Sequence, residues 1–266
     1  MKNERAIGIF DSGLGGLSVM KEVIARLPQE NIVYLGDTKH VPYGSKSKST
    51  VTRLSTQNIE QLLKKNVKLI VIACNTSSAL SLPALKKIFT VPLIGVVVPG
   101  AKAGSALTKN GRIGVIGTRG TVESGAYVKA IHKFNPRLKV FSKACPLFVP
   151  LVEEGWLDNT VTSLVSREYL AGFKKEGIDS LVLGCTHYPF LKDSIQKVLK
   201  GVKLVDSATE TAKTVAGELA SLGILRTCGN KPKYRFYVTD APEKFKKMGS
   251  VLLKQKINKV KLLNVE

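Results

Sequence analysis

Residues 71–78 read "VIACNTSS" and residues 182–189 read "VLGCTHYP". Each is an apolar run that stops at Ala or Gly, places a cysteine at its end and then turns polar, with Asn-Thr in one case and Thr-His in the other. A short apolar run bounded in this way reads as a buried strand, and the polar step after it as the start of a helix. The same cysteine-tipped strand end therefore occurs twice, at Cys74 and at Cys185.

Outward from these two points, apolar runs alternate with helical patterns along the whole chain, the signature of βαβ units around parallel sheets. Strands are expected at Ile7–Phe10, Asn31–Leu35, Lys68–Ala73, Pro92–Val97, Arg112–Gly117, Leu138–Ser142, Asp179–Gly184, Val202–Val205 and Tyr234–Val238, with "VKLLNV" near the end as a further candidate. Helices are expected between them, among others at Leu17–Arg26, Thr50–Lys65, Ala79–Phe89, Ser163–Glu176 and Tyr188–Leu199. The chain also nearly repeats itself. "RAIGIFDSGLGG" answers to "GRIGVIGTRGTV", "VKLIVIACNTSSAL" to "IDSLVLGCTHYPFL", and "TVPLIGVV" to "GVKLVDSA". The expected fold class is α/β, with two similar parallel-sheet lobes related by a pseudo-repeat. Ligands of open parallel sheets bind beyond the carboxyl ends of the strands. Asp11, Asp37, Cys74, Thr118 and Cys185 all fall at such ends, so facing lobes would put both thiols on one cleft.

The composition narrows the class. With 266 residues, 44% hydrophobic and 23% charged, the chain is a globular protein of one large or two smaller α/β units. Its four cysteines (74, 145, 185 and 228) form no C-x-x-C pair, against both a disulfide framework and a zinc ribbon. "MKNERAIGIF" lacks the apolar stretch and cleavage site of a signal peptide, and no run of about 18 apolar residues occurs, so a soluble, cytoplasmic, reduced protein without membrane partners is expected. The net charge of +21 is compatible with nucleic-acid binding, yet aromatics are only 6% and no nucleic-acid module is legible. Lysines such as Lys244, Lys246, Lys247 and Lys254 interleave with Phe245, Met248 and Val251 as on the wet face of an amphipathic helix. Nucleic acid is not an expected partner. Part of the positive field would draw in an anionic substrate.

A thiol beside a helix start has its pKa lowered from about 8.5 by the helix dipole. Asn75 and Thr76 after one cysteine, and Thr186 after the other, offer side-chain and backbone donors for an anion. A single base that removes and returns a carbon-bound proton retains configuration, whereas inversion needs an acid on the opposite face. Two thiols of equal rank, one as thiolate and one as thiol, meet that need without a cofactor, and they titrate as a coupled pair. Cys145, beside Pro146, and Cys228, in "RTCGN", lack acid–base neighbours and read as a buried apolar residue and a turn residue. His132, in "KAIHKF", reads as an exposed helix residue, and Cys-x-His at Cys185–His187 is not a zinc spacing. "FDSGLGGLSV" followed by Asp37 has the outline of a dinucleotide site. However, Ser18 stands where a third Gly or Ala belongs, and Asp11 would repel the pyrophosphate.

Taken in order, "DSGLGG", "VPYG", "ACNTSSA" and "GCTHYP" resemble the glutamate racemases of the aspartate/glutamate racemase superfamily, from Ile7 to about Ser207, with "FYVTDAPEKF" extending the likeness. The resemblance implies cofactor-free, two-base interconversion of L- and D-glutamate for peptidoglycan. Cys74 would handle the α-proton of the D-enantiomer with help from Asp11, and Cys185 that of the L-enantiomer with help from His187. Asp11, Ser12, Tyr43, Gly44, Asn75, Thr76, Thr186 and His187 would line the substrate pocket, with Thr118, Thr121 and Glu153 as further candidates. It also implies a homodimer, no bound metal, and a second lobe inserted in the first: residues 1–98 with 207–266, carrying Cys74, and residues 99–206, carrying Cys185. The rivals are a racemase of another acidic amino acid such as aspartate, a hydrolase using Cys185 as nucleophile with His187, and a basic nucleic-acid-binding protein.

Overall fold

The structure, a computed structural model, describes residues 4–227 and 229–264. Two parallel sheets organise it. The first contains β1 (Ala6–Asp11), β2 (Ile32–Gly36), β3 (Val67–Ile72), β4 (Leu93–Gly95), β9 (Tyr234–Val238) and β10 (Val260–Leu262), in the order β10-β9-β2-β1-β3-β4. The second contains β5 (Arg112–Gly117), β6 (Lys139–Ala144), β7 (Ser180–Gly184) and β8 (Lys203–Asp206), in the order β6-β5-β7-β8. The run β2-β1-β3-β4 and the run β6-β5-β7-β8 have the same topology, which is the repeat seen in the sequence. In each, the chain leaves the first strand to one side and returns on the other. This creates a switch point between β1 and β3, and a second between β5 and β7, where a crevice opens at the strand tips.

Helices cover both faces of the sheets, so the central strands are buried on both sides and carry apolar residues without alternation. In the first sheet, Ile7, Ile9, Ile32, Tyr34, Leu69 and Val71 point to α1 (Leu17–Arg26), α11 (Ser207–Ser221) and α12 (Pro242–Leu253). Their neighbours Phe10, Val33, Leu35, Ile70 and Ile72 point to the opposite core, under α2 (Lys48–Leu63) and α4 (Leu82–Ile88). In the second sheet, Ile113, Val115 and Val182 pack toward α5 (Val97–Leu107) and α7 (Ala126–Phe134). Ile116, Leu181 and Leu183 pack toward α8 (Phe148–Glu153), α9 (Thr160–Lys175) and α10 (Lys192–Val198). Among the described residues no helix is long and apolar enough to cross a membrane.

Three expected elements differ. The strand expected at Pro92–Val97 is only Leu93–Gly95, because Val97 already opens α5, whose first turns hold Pro99 and Gly100. The helix expected at Ala79–Phe89 is two, α3 (Asn75–Leu80) and α4, broken at Ser81 ahead of Pro83, a residue that suits only a first turn. The helix expected at Tyr188–Leu199 begins as a short 3-10 turn over Tyr188–Leu191 before α10. Cys185 therefore does not sit at an α-helix N-terminus, whereas Cys74 is the N-cap of α3.

Lys68 interrupts the apolar run of β3. It is buried, and its ammonium lies 2.7 Å from Glu30 Oε2 and donates to the carbonyl of Ile224 at 2.7 Å. Glu30 also accepts the N–H of Arg226 at 2.8 Å, so one buried ion pair pins the segment leading into β9 against β2 and β3. Removing one member of such a pair costs about 3–5 kcal/mol, because the remaining charge stays desolvated. Glu30→Ala and Lys68→Met are each expected to lower the free energy of urea unfolding by about 3 kcal/mol, since each strands the other charge, and the double variant Glu30→Ala/Lys68→Met by distinctly less than the sum.

Candidate active site

The tips of β1 and β3 bring Asp11 and Cys74 to the first switch point, and those of β5 and β7 bring Thr118 and Cys185 to the second. The two tips close on each other. Thr186 Oγ1 donates to Asp11 Oδ1 at 3.1 Å, and Ser18 Oγ, in α1, lies 3.0 Å from the carbonyl of Thr186. Thr76 Oγ1 lies 2.8 Å from Thr118 Oγ1 and 3.3 Å from Thr121 Oγ1, and Asn75 Nδ2 donates to the hydroxyl of Tyr127 at 2.7 Å. Gly15 permits the approach. A β-carbon there would overlap Thr186 Oγ1 and lie 2.5 Å from His187 Nδ1. Gly44 plays the same part against Thr118.

Asp11, Ser12, Tyr43, Gly44, Cys74, Asn75, Thr76, Cys185, Thr186 and His187 are all buried here. Cys74 Sγ is 3.9 Å from Ser12 Oγ and packs against Tyr43, Val51 and Leu54. Burial pushes the Cys74 thiol up to about 12, and the Asp11 charge adds to this; the N–H of Ser77 opposes both. The helix start therefore does not give a resting thiolate, contrary to the sequence expectation, because desolvation outweighs one short helix. Cys185 also contributes to the upward shift of Cys74, placing the two sulfurs within electrostatic reach of one another. Asp11 is itself raised by burial, against the His187 charge and hydrogen bonds from Gly13, Gly16 and Thr186. A carboxylate with a raised pKa is a better proton acceptor for a neighbouring thiol.

The second thiol has a different setting. His187 Nδ1 is 3.7 Å from Cys185 Sγ, and His187 Nε2 is 2.7 Å from Glu153 Oε1 at the end of α8. Glu153 also accepts the N–H of Leu14, at 3.4 Å, so it touches the glycine-rich turn of the other lobe. Burial disfavours the imidazolium, but hydrogen bonds and negative charge from Cys185 and Glu153 outweigh it and hold His187 well above the ordinary range. Burial likewise disfavours the Glu153 carboxylate, and the bond to His187 more than compensates, so its pKa falls. Together they form an ion pair beside Cys185.

Other residues fall outside the site. Cys145 is fully buried in the second lobe's core, as expected, and His132 is exposed on α7, its ring near the carbonyl of Leu138. Cys228 lies outside the described residues. Asp37 is not a free ribose-binding acid: it accepts the Tyr43 hydroxyl, Thr239 Oγ1 at 2.8 Å and faces His40 Nδ1 at 2.8 Å. Its task is to hold Tyr43, which Asn58 Nδ2 reaches from α2 at 2.9 Å. Sequence reasoning had no means of assigning that task to Asp37, since the donors come from three separate elements. Among the described residues no three His, Cys, Asp or Glu side chains converge as a metal-ligand set.

The His187–Glu153 pair sets a pH dependence. The raised histidine adds stability that is full below its ordinary value of 6.5 and fades as pH rises toward the elevated one. The lowered glutamate adds stability present above its ordinary value of 4.5 and lost as pH falls further. The stability gap between wild type and Glu153→Gln is expected to be largest between those two values and to narrow above them. Ring NMR is expected to show His187 titrating at lower pH in the variant; an unmoved titration would contradict the pairing.

Comparison with known proteins follows the same lines. The sequence model of the Asp/Glu/Hydantoin racemase family matches residues 7–215. The chain is 50% identical over 263 residues to the glutamate racemase of Geobacter metallireducens, covering 98% of this chain and 97% of that one. Among solved structures it superimposes on a glutamate racemase isoform, RacE1, of Bacillus anthracis with a TM-score of 0.95 and 40% identity, covering 99% of this chain and 98% of that one. The glutamate racemase of Francisella tularensis, solved in complex with D-glutamate, gives a TM-score of 0.93 and 40% identity over the same shares. With paired switch points each tipped by a cysteine, and with that full-length similarity, the chain belongs to the Asp/Glu/Hydantoin racemase family.

Proposed function

We propose that this chain is a glutamate racemase, which interconverts L- and D-glutamate by a two-base reaction and supplies D-glutamate for peptidoglycan in the cytoplasm. The observation that carries this reading is that two buried cysteines, one at the tip of each sheet, stand among acid–base groups: Asp11 near enough to Cys74 to raise its pKa, and His187, bonded to Glu153, 3.7 Å from Cys185. Full-length similarity to glutamate racemases supports the choice of substrate.

In the L-to-D direction, Cys185 as thiolate removes the α-proton, and the Cys74 thiol delivers a proton to the opposite face. The reverse reaction exchanges these roles. Asp11 accepts the Cys74 proton when that thiol must become the base, and the His187 imidazolium stabilises Cys185 as the thiolate. The α-carbon is a weak acid, so donors must meet the negative charge as it spreads into the carboxylate. Thr76, Thr118 and Thr186 stand at the site with hydroxyls. The side-chain amide oxygen of Asn75, Oδ1, is a buried acceptor with no hydrogen-bond partner among the described residues, and a substrate ammonium would satisfy it. Ser12, Tyr43 and Gly44 complete the lining on the first lobe. The reaction needs no organic cofactor or metal in this scheme, since both proton positions are thiols.

Because both thiols are buried, substrate must reach them by separation of two bodies, which we assign as residues 1–98 with 207–266 and residues 99–206. The hydrogen bonds from Thr186 to Asp11 and between Thr76 and Thr118 would part and re-form in each cycle. Family likeness alone supports a homodimer.

The decisive experiment is turnover of L-glutamate by the purified protein in deuterated water without added cofactor. Deuterium is expected at the α-carbon of the D-glutamate formed, and the same is expected from D-glutamate. Cys74→Ala and Cys185→Ala are each expected to lose at least about 10²–10⁴-fold in kcat, the range of one general acid–base group. Near wild-type racemisation by Cys74→Ala would overturn the two-base scheme. A trapped acyl-enzyme at Cys185 would replace it with the hydrolase reading, and faster turnover of aspartate would change the substrate.

A further inference from the structure

Tyr34 lies in β2, inside an unbroken apolar run, and is fully buried. A phenol in such a place must find a partner for its hydroxyl. It finds the active-site turn. Tyr34 OH donates to the carbonyl of Gly13 at 2.8 Å. The Asp11 carboxylate grips the same turn from the other side, accepting the N–H of Gly13 at 2.9 Å and that of Gly16. The fit leaves no room: a β-carbon on Gly16 would lie 2.8 Å from the Tyr34 hydroxyl and 2.5 Å from Asp11 Cβ. Two residues further along β2, a β-carbon on Gly36 would meet the Gly13 carbonyl at 2.9 Å.

The ring of Tyr34 is in turn fixed by the last elements of the chain. Phe245 of α12 lies 5.7 Å from it, centroid to centroid, and Phe236 of β9 lies 6.4 Å away. Burial, together with the charges of Asp11, Glu153 and Cys74, holds the phenol far above its ordinary pKa, so it stays a donor at working pH. On the other side of the site, the histidine beside Cys185 is held by Glu153.

We propose that Tyr34 is a positioning residue that weighs on one half of the reaction more than on the other: its hydroxyl pins the Gly13–Gly16 turn, and through it sets Asp11 against Cys74, whereas His187 beside Cys185 is held first by its 2.7 Å bond to Glu153. The inference rests on the racemase reading above. Tyr34 touches no reacting atom, and its effect passes through the backbone of the turn.

The test uses Tyr34→Phe, which keeps the ring and removes only the hydroxyl, with α-deuterated L- and D-glutamate as substrates. A misplaced turn is expected to lower kcat roughly tenfold, within the range for small displacements of reacting groups. The isotope effects on kcat/KM are expected to move in opposite directions. The effect for D-glutamate rises, because proton transfer at Cys74 becomes slower, and the effect for L-glutamate falls, because transfer at Cys185 no longer limits. Phe245→Leu, which keeps the hydroxyl but loosens the ring beneath it, is expected to show the same opposed shifts in smaller measure, and it carries the test should Tyr34→Phe not fold. An unchanged rate, or a loss in which both isotope effects move together, would overturn the inference while wild-type racemisation stands. A wild type that racemises neither enantiomer would overturn the activity itself, and this assignment with it.

Discussion

The hydrogen bond from Thr186 to Asp11 joins the strand tip of one lobe to that of the other, and the rest of the site is arranged around it. Asp11 is fully buried, and a buried carboxylate must be met by donors or lose its charge. Its donors come from both lobes: two N–H groups of its own turn and one hydroxyl from across the cleft. That requirement explains the glycines. Side chains at positions 15 and 16 would occupy the space of Thr186, His187 and Tyr34, so only a bare backbone lets the charge, its donors and the second lobe meet.

A repeated topology has produced two unequal halves. Both sheets deliver a cysteine at the same switch point, so duplication of one topology places two thiols at corresponding strand tips. The electrostatic problem is solved twice, in different ways. Cys74 caps a short helix beside a carboxyl group and is held high by burial. Cys185 precedes a 3-10 turn and stands beside an ion-paired imidazole. One thiol thus has a carboxyl group near it and the other an ion-paired imidazole, the setting that the proposed alternation between thiol and thiolate would use. Glu153 connects the halves, since it holds His187 and also receives Leu14 from the opposing turn.

The terminal segment belongs to this economy of support. β9 extends the first sheet, Thr239 after it bonds Asp37, and Asp37 holds Tyr43 at the wall of the Cys74 pocket. α12 supplies Phe245 beneath Tyr34, and Lys244 pairs at 2.9 Å with Glu154, next to the residue that orients His187. Elements far along the chain therefore reach both proton partners without lining the cleft themselves.

The sequence by itself determined the parallel α/β architecture and the repeat, and it placed Asp11, Cys74 and Cys185 at apolar strand tips, which are readable locally; Tyr43 and Gly44, in a 3-10 turn well past β2, are named only through family resemblance. It also marked Cys145 and His132 as bystanders, from the lack of suitable neighbours. Where strands and helices ended was less legible: β4 is shorter than its apolar run because Val97 serves α5 instead, a choice made by packing. Only the tertiary structure decided that Cys74 is a high-pKa thiol, that Glu153 pairs with His187, that Asp37 serves Tyr43, and that Tyr34 grips the glycine turn. The physical reason is common to all four. Burial and hydrogen bonding act between groups distant in sequence, and no spacing along the chain records which donor will meet which acceptor once water is excluded.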